Sequence, residues 1–285
     1  MSRILITGAT GHIGGLLALR LLRNKAQVRL LVRDFNRVPD QLRQAEVVSG
    51  EFGDLIAMRR ALTGVERVFF YTPQHLDASL FPLAAECGVK QIVLLSSASV
   101  VKVSAQSDNP VAQRHRRAEQ AVQESGIDWT FLRPDLLASN SLQWAPSILA
   151  NDEVRVPYPE SLRNPIHEDD IALIAAHALL TSKLSRSALT LTGPKALTIA
   201  EQVRLISKAV GRSITCVRIS PEEAIADYMG SHPEASPRVA KLLVEYQHKT
   251  VTQAAANTVD FLNATGIEAR TFGKWAQDHR AAFTP

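Results

Sequence analysis

The sequence predicts an α/β fold, a doubly wound parallel sheet with a smaller C-terminal α/β lobe. Apolar, strand-like runs alternate with helix-like segments from residue 1 to about residue 132, the pattern of parallel βαβ winding. Gly64, Gly88 and Gly126 fall just after helical stretches, where a left-handed residue commonly ends a helix. Beyond Pro134 the alternation loosens into short helices with clear start signals. The expected organisation is a core over residues 1–134 and a lobe over residues 135–285, packed on the core as one compact unit and covering its substrate crevice.

Strands are expected at residues 4–7, 28–32, 46–48, 68–71, 92–95 and 129–132. In a sheet wound this way ligands sit outside the carboxyl ends of the strands, which singles out Gly8, Arg33, Thr72, Ser96 and Pro134. In the lobe, Thr198-Ile199-Ala200-Glu201 and Ser220-Pro221-Glu222-Glu223 each match a capping box, the second with proline at the first helical position. Ser236-Pro237 repeats part of that signal. These residues mark helix starts and nothing catalytic.

The first βα turn carries the chemistry. Gly8-Ala9-Thr10-Gly11-His12-Ile13-Gly14 follows the first strand and opens a leucine-rich helix over residues 16–22. Glycine takes positive φ and has no side chain to hold a ligand off the backbone, so the amides of this turn can face the oxygens of a pyrophosphate. The strand before and the helix after are what dinucleotide binding requires. About 20 residues further on, an acidic side chain would bind the ribose 2′-OH of NAD, and an arginine the 2′-phosphate of NADP. Val32-Arg33-Asp34 puts the arginine first, with Asp34 turned elsewhere by strand alternation. NADP, used as NADPH, is therefore expected in preference to NAD. Arg37 is either a second phosphate-facing cation or a solvated loop residue. Asp54 and Leu55 would bracket the adenine, and Asp54 would equally cap the helix over residues 55–62.

Composition narrows the class of partner. The 285 residues are 46% hydrophobic and 21% charged, an ordinary globular balance. A formal charge of +4 is too small to motivate a nucleic-acid surface and suits an anionic cofactor. Cys87 and Cys216, far apart in apolar surroundings, read as buried thiols of a reducing compartment. The N-terminus enters its first strand at once and no stretch reaches membrane-spanning length, so the expectation is a cytoplasmic protein acting on a small molecule. No oligomeric state is legible.

The Gly8-x-x-Gly11-x-x-Gly14 spacing, Arg33, Thr72-Pro73, Ser96-Ser97-Ala98, and Ser125-Gly126 leading through Thr130-Phe131-Leu132-Arg133-Pro134 resemble the atypical short-chain dehydrogenase/reductase family, in particular its NmrA-like branch. Ile166-His167-Glu168-Asp169-Asp170-Ile171-Ala172, Leu191-Thr192-Gly193-Pro194, Ala209-Val210-Gly211-Arg212 and the stretch from Thr271-Phe272 to Phe283 are similar to its later segments. The resemblance covers nearly the whole chain. It implies a Rossmann-type sheet and a bound NADP(H). Its members include NADPH-dependent quinone reductases, isoflavone-type reductases, and redox-sensing regulators that bind the dinucleotide without turnover. It also implies that Pro134 and residues 135–137 pass the nicotinamide carboxamide, and that Asn140 and Trp144 approach the substrate. Trp144 would stack on a flat ring or simply pack, and His167 would reach the pocket rim.

One departure constrains the reaction. The wider family carries a tyrosine acid/base and, four residues later, a lysine on the nicotinamide ribose; these positions fall at Val111 and His115. His115 can bond a ribose hydroxyl or relay a proton, and as part of Arg114-His115-Arg116-Arg117 it reads equally as a solvated helix face. Ser97 and Tyr71 are alternative donors, Tyr71 being expected in the core because it lies within its strand. Reduction of an ordinary ketone leaves an alkoxide in need of a proton, whereas a quinone or conjugated enone spreads the charge over its own π-system. The expected function is NADPH-dependent reduction of a quinone, enone or related flat carbonyl compound; the alternative is a non-catalytic NADP(H)-binding sensor. Asp169 and Asp170 read as charges at a helix N-terminus, and no metal site is expected.

Overall fold

A computed structural model describes residues 3–72, 77, 79–253 and 256–285. The chain divides into two compact units, and neither is a continuous stretch. The first comprises Met1–Asp135, Glu168–Leu191 and Val259–Ile267; the second comprises Leu136–His167, Thr192–Thr258 and Glu268–Pro285.

In the first unit β1 (Arg3–Thr7), β2 (Gln27–Val32) and β3 (Glu46–Ser49) alternate with α1 (His12–Arg23) and, after β3, α2 (Leu55–Leu62). β4 (Arg67–Tyr71), α3 (Leu80–Glu86) and β5 (Gln91–Leu95) follow. The short α4 (Ser99–Lys102) and the long α5 (Pro110–Glu124) then lead into β6 (Asp128–Pro134). The chain next crosses the second unit as β7 (Leu136–Leu137), α6 (Ala145–Asn151), β8 (Glu153–Val156), β9 (Leu162–Arg163) and β10 (Pro165–Ile166). It returns to the first as α7 (Glu168–Leu180) and β11 (Ser187–Leu191).

Seven parallel strands result, in the order β11-β6-β5-β4-β1-β2-β3. Their sides are buried nearly without interruption, Ile4 to Thr7 in β1 and Val28 to Val32 in β2, because helices cover both faces. On one face Met58, Ala61 and Leu62 of α2, Leu80, Phe81 and Ala84 of α3, and Ala118 and Val122 of α5 meet Leu5, Val68, Phe70, Ile92 and Phe131. Elsewhere in this unit α1 packs on α7, whose Ala172, Ala175 and Ala178 are fully buried. Gly64, Gly88 and Gly126 end their helices with φ of 72°, 83° and 73°, as the sequence suggested.

Helix C-termini at the amino ends of the strands are satisfied by side chains. Arg29, only 6% exposed, donates to the carbonyls of Ala61 and Thr63 at 2.7 Å each and pairs with Glu46 at 2.8 Å. Arg67 bonds the Leu179 carbonyl, and Gln91 Nε2 bonds that of Ala178 at 3.0 Å. The unpaired carbonyls of α2 and α7 are thus met on that edge, while the loops of the opposite edge build the site.

The second unit continues with β12 (Leu197–Thr198), α8 (Ile199–Val210), β13 (Thr215–Arg218), α9 (Pro221–Ser231) and α10 (Pro237–Thr252). After α11 (Asp260–Thr265), which belongs to the first unit, it closes with α12 (Phe272–Asp278). β8 pairs parallel with β13, β7 parallel with β10, and β9 antiparallel with β12. Its core gathers Val154, Val156, Val203, Ile206, Phe272 and Trp275. Both expected capping boxes form, at Thr198 and Ser220, and Ser236 caps α10. The cysteines differ from expectation: Cys87 and Cys216 are free but only half-buried, because each lies at the margin of its core.

Candidate functional site

The glycine turn is a close-packed device. Gly8 adopts φ 66°, and the Gly11 N–H donates to the Gly8 carbonyl at 2.9 Å. A Cβ on Gly14 would stand 2.3 Å from that carbonyl oxygen, so only glycine lets α1 come this near the turn. Gly11 is the N-cap of α1, hence no side chain covers its first N–H groups, and no acidic residue lies in its first turn. Thr10 and His12 are exposed there, and Ile13 anchors the helix in the core. These are the donors and the positive helix end that an anion needs.

Tyr71 overturns an expectation. It is the last residue of β4 and 36% exposed, not core, because the register of β1 with β4 carries it opposite Gly8, where no side chain competes. A Cβ on Gly8 would lie 2.8 Å from the Tyr71 ring, which also meets Phe52 edge-on at 4.9 Å. The end-of-strand rule, moved back by one residue, would have found it.

Beyond β2, Arg33 is exposed, with no hydrogen bond or ion pair among the described residues. Asp34 bends back to accept the Asn36 N–H at 2.9 Å, capping the turn Phe35–Arg37, of which Arg37 is the exposed end. Val32 and Ser49 are paired, so residues 33–35 and 50–54 leave the sheet side by side. Asp54 caps α2 through the N–H groups of Ile56 and Ala57, 2.9 Å each. Leu55 and Phe35 are exposed apolar groups on these two loops.

On the other flank, Thr72 donates to the Leu95 carbonyl at 2.9 Å; Pro73 lies outside the described residues. Ser96 is buried and its hydroxyl is spent on Glu119, 2.5 Å away. Glu119 in turn takes two bonds from Arg133, at 2.9 and 2.6 Å. This trio ties β5, α5 and β6 together, a structural use of a residue selected as a cofactor contact. Ser97, half-buried, accepts the Ser99 N–H at 3.2 Å at the start of α4. Pro134 accepts the Ala98 N–H at 3.0 Å, and the buried Asp135 carboxylate pairs with Lys102 at 2.7 Å.

His115 is 7% exposed, so the solvated-face reading of the basic run fails; Arg117 alone of the four is exposed. Arg116 donates to the carbonyls of Val100 and Val103, holding α4 against α5. Burial, and then the neighbouring Arg114, pushes the His115 pKa down to about 4, leaving a neutral imidazole at pH 7. Arg114 Nη2 lies 3.4 Å from His115 Nε2. A guanidinium only donates, so Nε2 accepts and the ring proton sits on Nδ1, a buried donor with no partner among the described residues.

The remaining candidates belong to the second unit. Asn140 is exposed, and Trp144 lies against the core of that unit, which is the packing reading of this residue. His167 is buried with Nε2 3.4 Å from Asp278. In the first unit Asp169 pairs with Arg20 of α1 at 2.7 Å, a structural tie between α1 and α7.

The first unit thus lines one sheet edge with a close-packed glycine turn at an uncapped helix start, an exposed arginine beyond β2 and polar groups beyond β4 and β5. Such an arrangement defines an NAD(P)H-binding oxidoreductase. The chain belongs to the NAD(P)H-binding family, whose model matches residues 8–182, and to the NmrA-like branch of the atypical short-chain dehydrogenase/reductase group. A (4-alkanoyl-5-oxo-2,5-dihydrofuran-3-yl)methyl phosphate reductase of Streptomyces griseus is 35% identical over 286 residues, 99% of each chain. An NAD(P)H azoreductase of Xenophilus azovorans is 32% identical, over 98% of this chain and 99% of its own. Among solved structures, a Citrobacter sp. triphenylmethane reductase complexed with NADP(H) matches with a TM-score of 0.79 at 20% identity, over 98% of this chain and 100% of that one. An Escherichia coli NADPH-dependent quinone oxidoreductase gives 0.78 at 23%, over 96% and 98%. These two likenesses show the fold. No helix among the described residues is long and apolar enough to cross a membrane.

Proposed function

We propose that the chain is an NADPH-dependent reductase of quinones, enones or related flat, conjugated carbonyl compounds. The carrying observation is the state of α5: Val111 stands where an acid tyrosine would be, and His115 is buried and neutral. An α5 that brings no acid tyrosine or charged imidazole to the nicotinamide end suits acceptors that accommodate negative charge in their own π-system.

The residues present fit the dinucleotide. The uncapped start of α1 and the turn held by Gly8, Gly11 and Gly14 would take the pyrophosphate, and Arg33 the 2′-phosphate. Phe35, Leu55 and Tyr71 would line the adenosine side. Thr72, Ser97 and His115 would hold the nicotinamide half, with the Nδ1–H of His115 donating to a ribose hydroxyl. NADPH supplies a hydride when bound. The relatives support the substrate class: the Streptomyces griseus name describes a lactone whose ring double bond is conjugated to two carbonyl groups, and the Xenophilus azovorans enzyme is named for azo compounds.

Titration with NADPH and NADH, followed by an acceptor panel of quinones, enones and azo compounds on the same samples, tests both parts. Wild type should favour NADPH, and Arg33→Ala should lose about tenfold or more of that preference. Intact preference in Arg33→Ala ends the NADP assignment, and tight cofactor binding with no NADPH oxidation across the panel ends the reductase reading. The missing Tyr/Lys pair also favours a sensor that binds NADP(H) without turnover, for which that second outcome is the signature.

A further inference from the structure

The other partly buried arginines of the first unit are matched with acceptors. Arg3 and Arg29 pair with Glu46, Arg20 with Asp169, and Arg133 with Glu119. Arg67 and Arg116 donate to backbone carbonyls. Arg114 is different. It is half-buried, no carboxylate pairs with it among the described residues, and its one hydrogen bond is the 3.4 Å contact with His115. Its Nε is buried with no acceptor among the described residues, and the Nδ1 of the adjoining His115 is in the same condition. Burial lowers its pKa, a sign of what it costs to keep a cation there, yet an arginine stays charged. A desolvated cation with unused donors is completed by an anion.

Its position follows from α5. Glu119 meets Ser96, the first residue past β5, so His115, four residues earlier on the same helix face, stands about 6 Å further out from the strand ends. Arg114 lies beside it, on the flank assigned above to the nicotinamide half. Held there by His115, the guanidinium makes no other hydrogen bond among the described residues, which leaves donors for an incoming oxyanion.

We propose that Arg114, positioned by His115, binds an ionised oxygen of the acceptor substrate, a carboxylate, sulfonate or phosphate group carried on the flat conjugated system. The proposal rests on the reductase reading. In that reaction the acceptor gains a hydride from NADPH and a proton from solvent, and NADP⁺ leaves; Arg114 takes part in neither bond change and acts on binding alone. His115 is a positioning residue here, its neutral Nε2 accepting from the guanidinium.

The test compares 1,2-naphthoquinone-4-sulfonate with neutral 1,2-naphthoquinone, as acceptors with NADPH and as calorimetric ligands of the NADP⁺-saturated protein. Wild type should bind the sulfonate more tightly. Arg114→Gln should raise the KM and Kd of the sulfonate about tenfold or more, leaving kcat, the neutral quinone and the Kd of NADPH within about twofold, and Arg114→Lys should recover part of the loss. Unchanged sulfonate binding in Arg114→Gln overturns the proposal, as does a weakened Kd of NADPH in its place, which would make Arg114 a cofactor ligand. Inorganic phosphate binding to NADP⁺-saturated wild type as tightly as the sulfonate would overturn the substrate assignment in favour of the free ion. The calorimetry needs no turnover, so a protein that reduces neither quinone would lose the reductase reading while the anion site is still decided separately.

Discussion

His115 shows how one side chain can be read twice. In sequence it belongs to four consecutive basic or titratable residues, and only burial separates it from them. That burial links it to stability. Its pKa is about 4 in the folded protein against 6.5 when exposed, so between these pH values the unfolded chain carries a proton that the native state refuses. Its contribution is complete above pH 6.5, falls as the pH drops, and is fully lost below pH 4, a change of about 3 kcal/mol. Urea unfolding of wild type and His115→Gln at pH 7.5 and pH 4.5 should show the wild type losing more stability than the variant; equal losses would mean that the imidazole is not held neutral. Residue roles were the least legible part of the sequence. Ser96 was selected by its place after β5, but its partner Glu119 is 23 residues away on a helix, and nothing local announces that pairing. Arg114 was hidden for the same reason, since the lack of a counter-charge is a property of the packed state.

Elements were more legible, because their signals are local. Strand alternation, the glycines with positive φ and the capping boxes at Thr198 and Ser220 all involve residues within a few positions of one another. The glycine turn belongs to this class, and its close packing makes a sharp prediction. Gly14→Ala places a methyl carbon 2.3 Å from a backbone oxygen, which no rotamer can relieve, so α1 must shift away from the turn. The expected cost is about 2 kcal/mol of stability, together with a Kd of NADPH raised at least about tenfold, because in the proposed site the turn and the helix end would hold the pyrophosphate jointly. Gly53→Ala, at a glycine with open space around it, is the control; comparable losses in both variants would show that the packing at Gly14 is not decisive.

At the scale of the molecule, the sequence suggested two consecutive stretches, whereas the chain leaves its first unit at Asp135 and returns as α7 and β11. β11 is a five-residue run that pairs with β6 only after the chain has crossed the second unit, and such a long-range pairing leaves no local mark. A fragment ending at residue 135 would lack both this strand and the helix that buries Ile171, Ile174, Ala175 and Leu179. It should aggregate or show no cooperative thermal transition by circular dichroism and bind no NADPH, whereas a soluble, cofactor-binding fragment would mean that the first 135 residues suffice as a folding unit.

The arginines and the glutamine at the amino ends of the strands bear on how this protein can change. Arg29, Arg67 and Gln91 tie the sheet to the helix termini on the edge away from the glycine turn, so these three tethers stand apart from the proposed site. Side chains near that site with few bonds to the rest of the fold, such as Arg114, can therefore change at small cost to folding. Such a scaffold is evolvable: a library randomised at Arg114 should yield folded variants with new acceptor preferences far more often than one randomised at those three tethers.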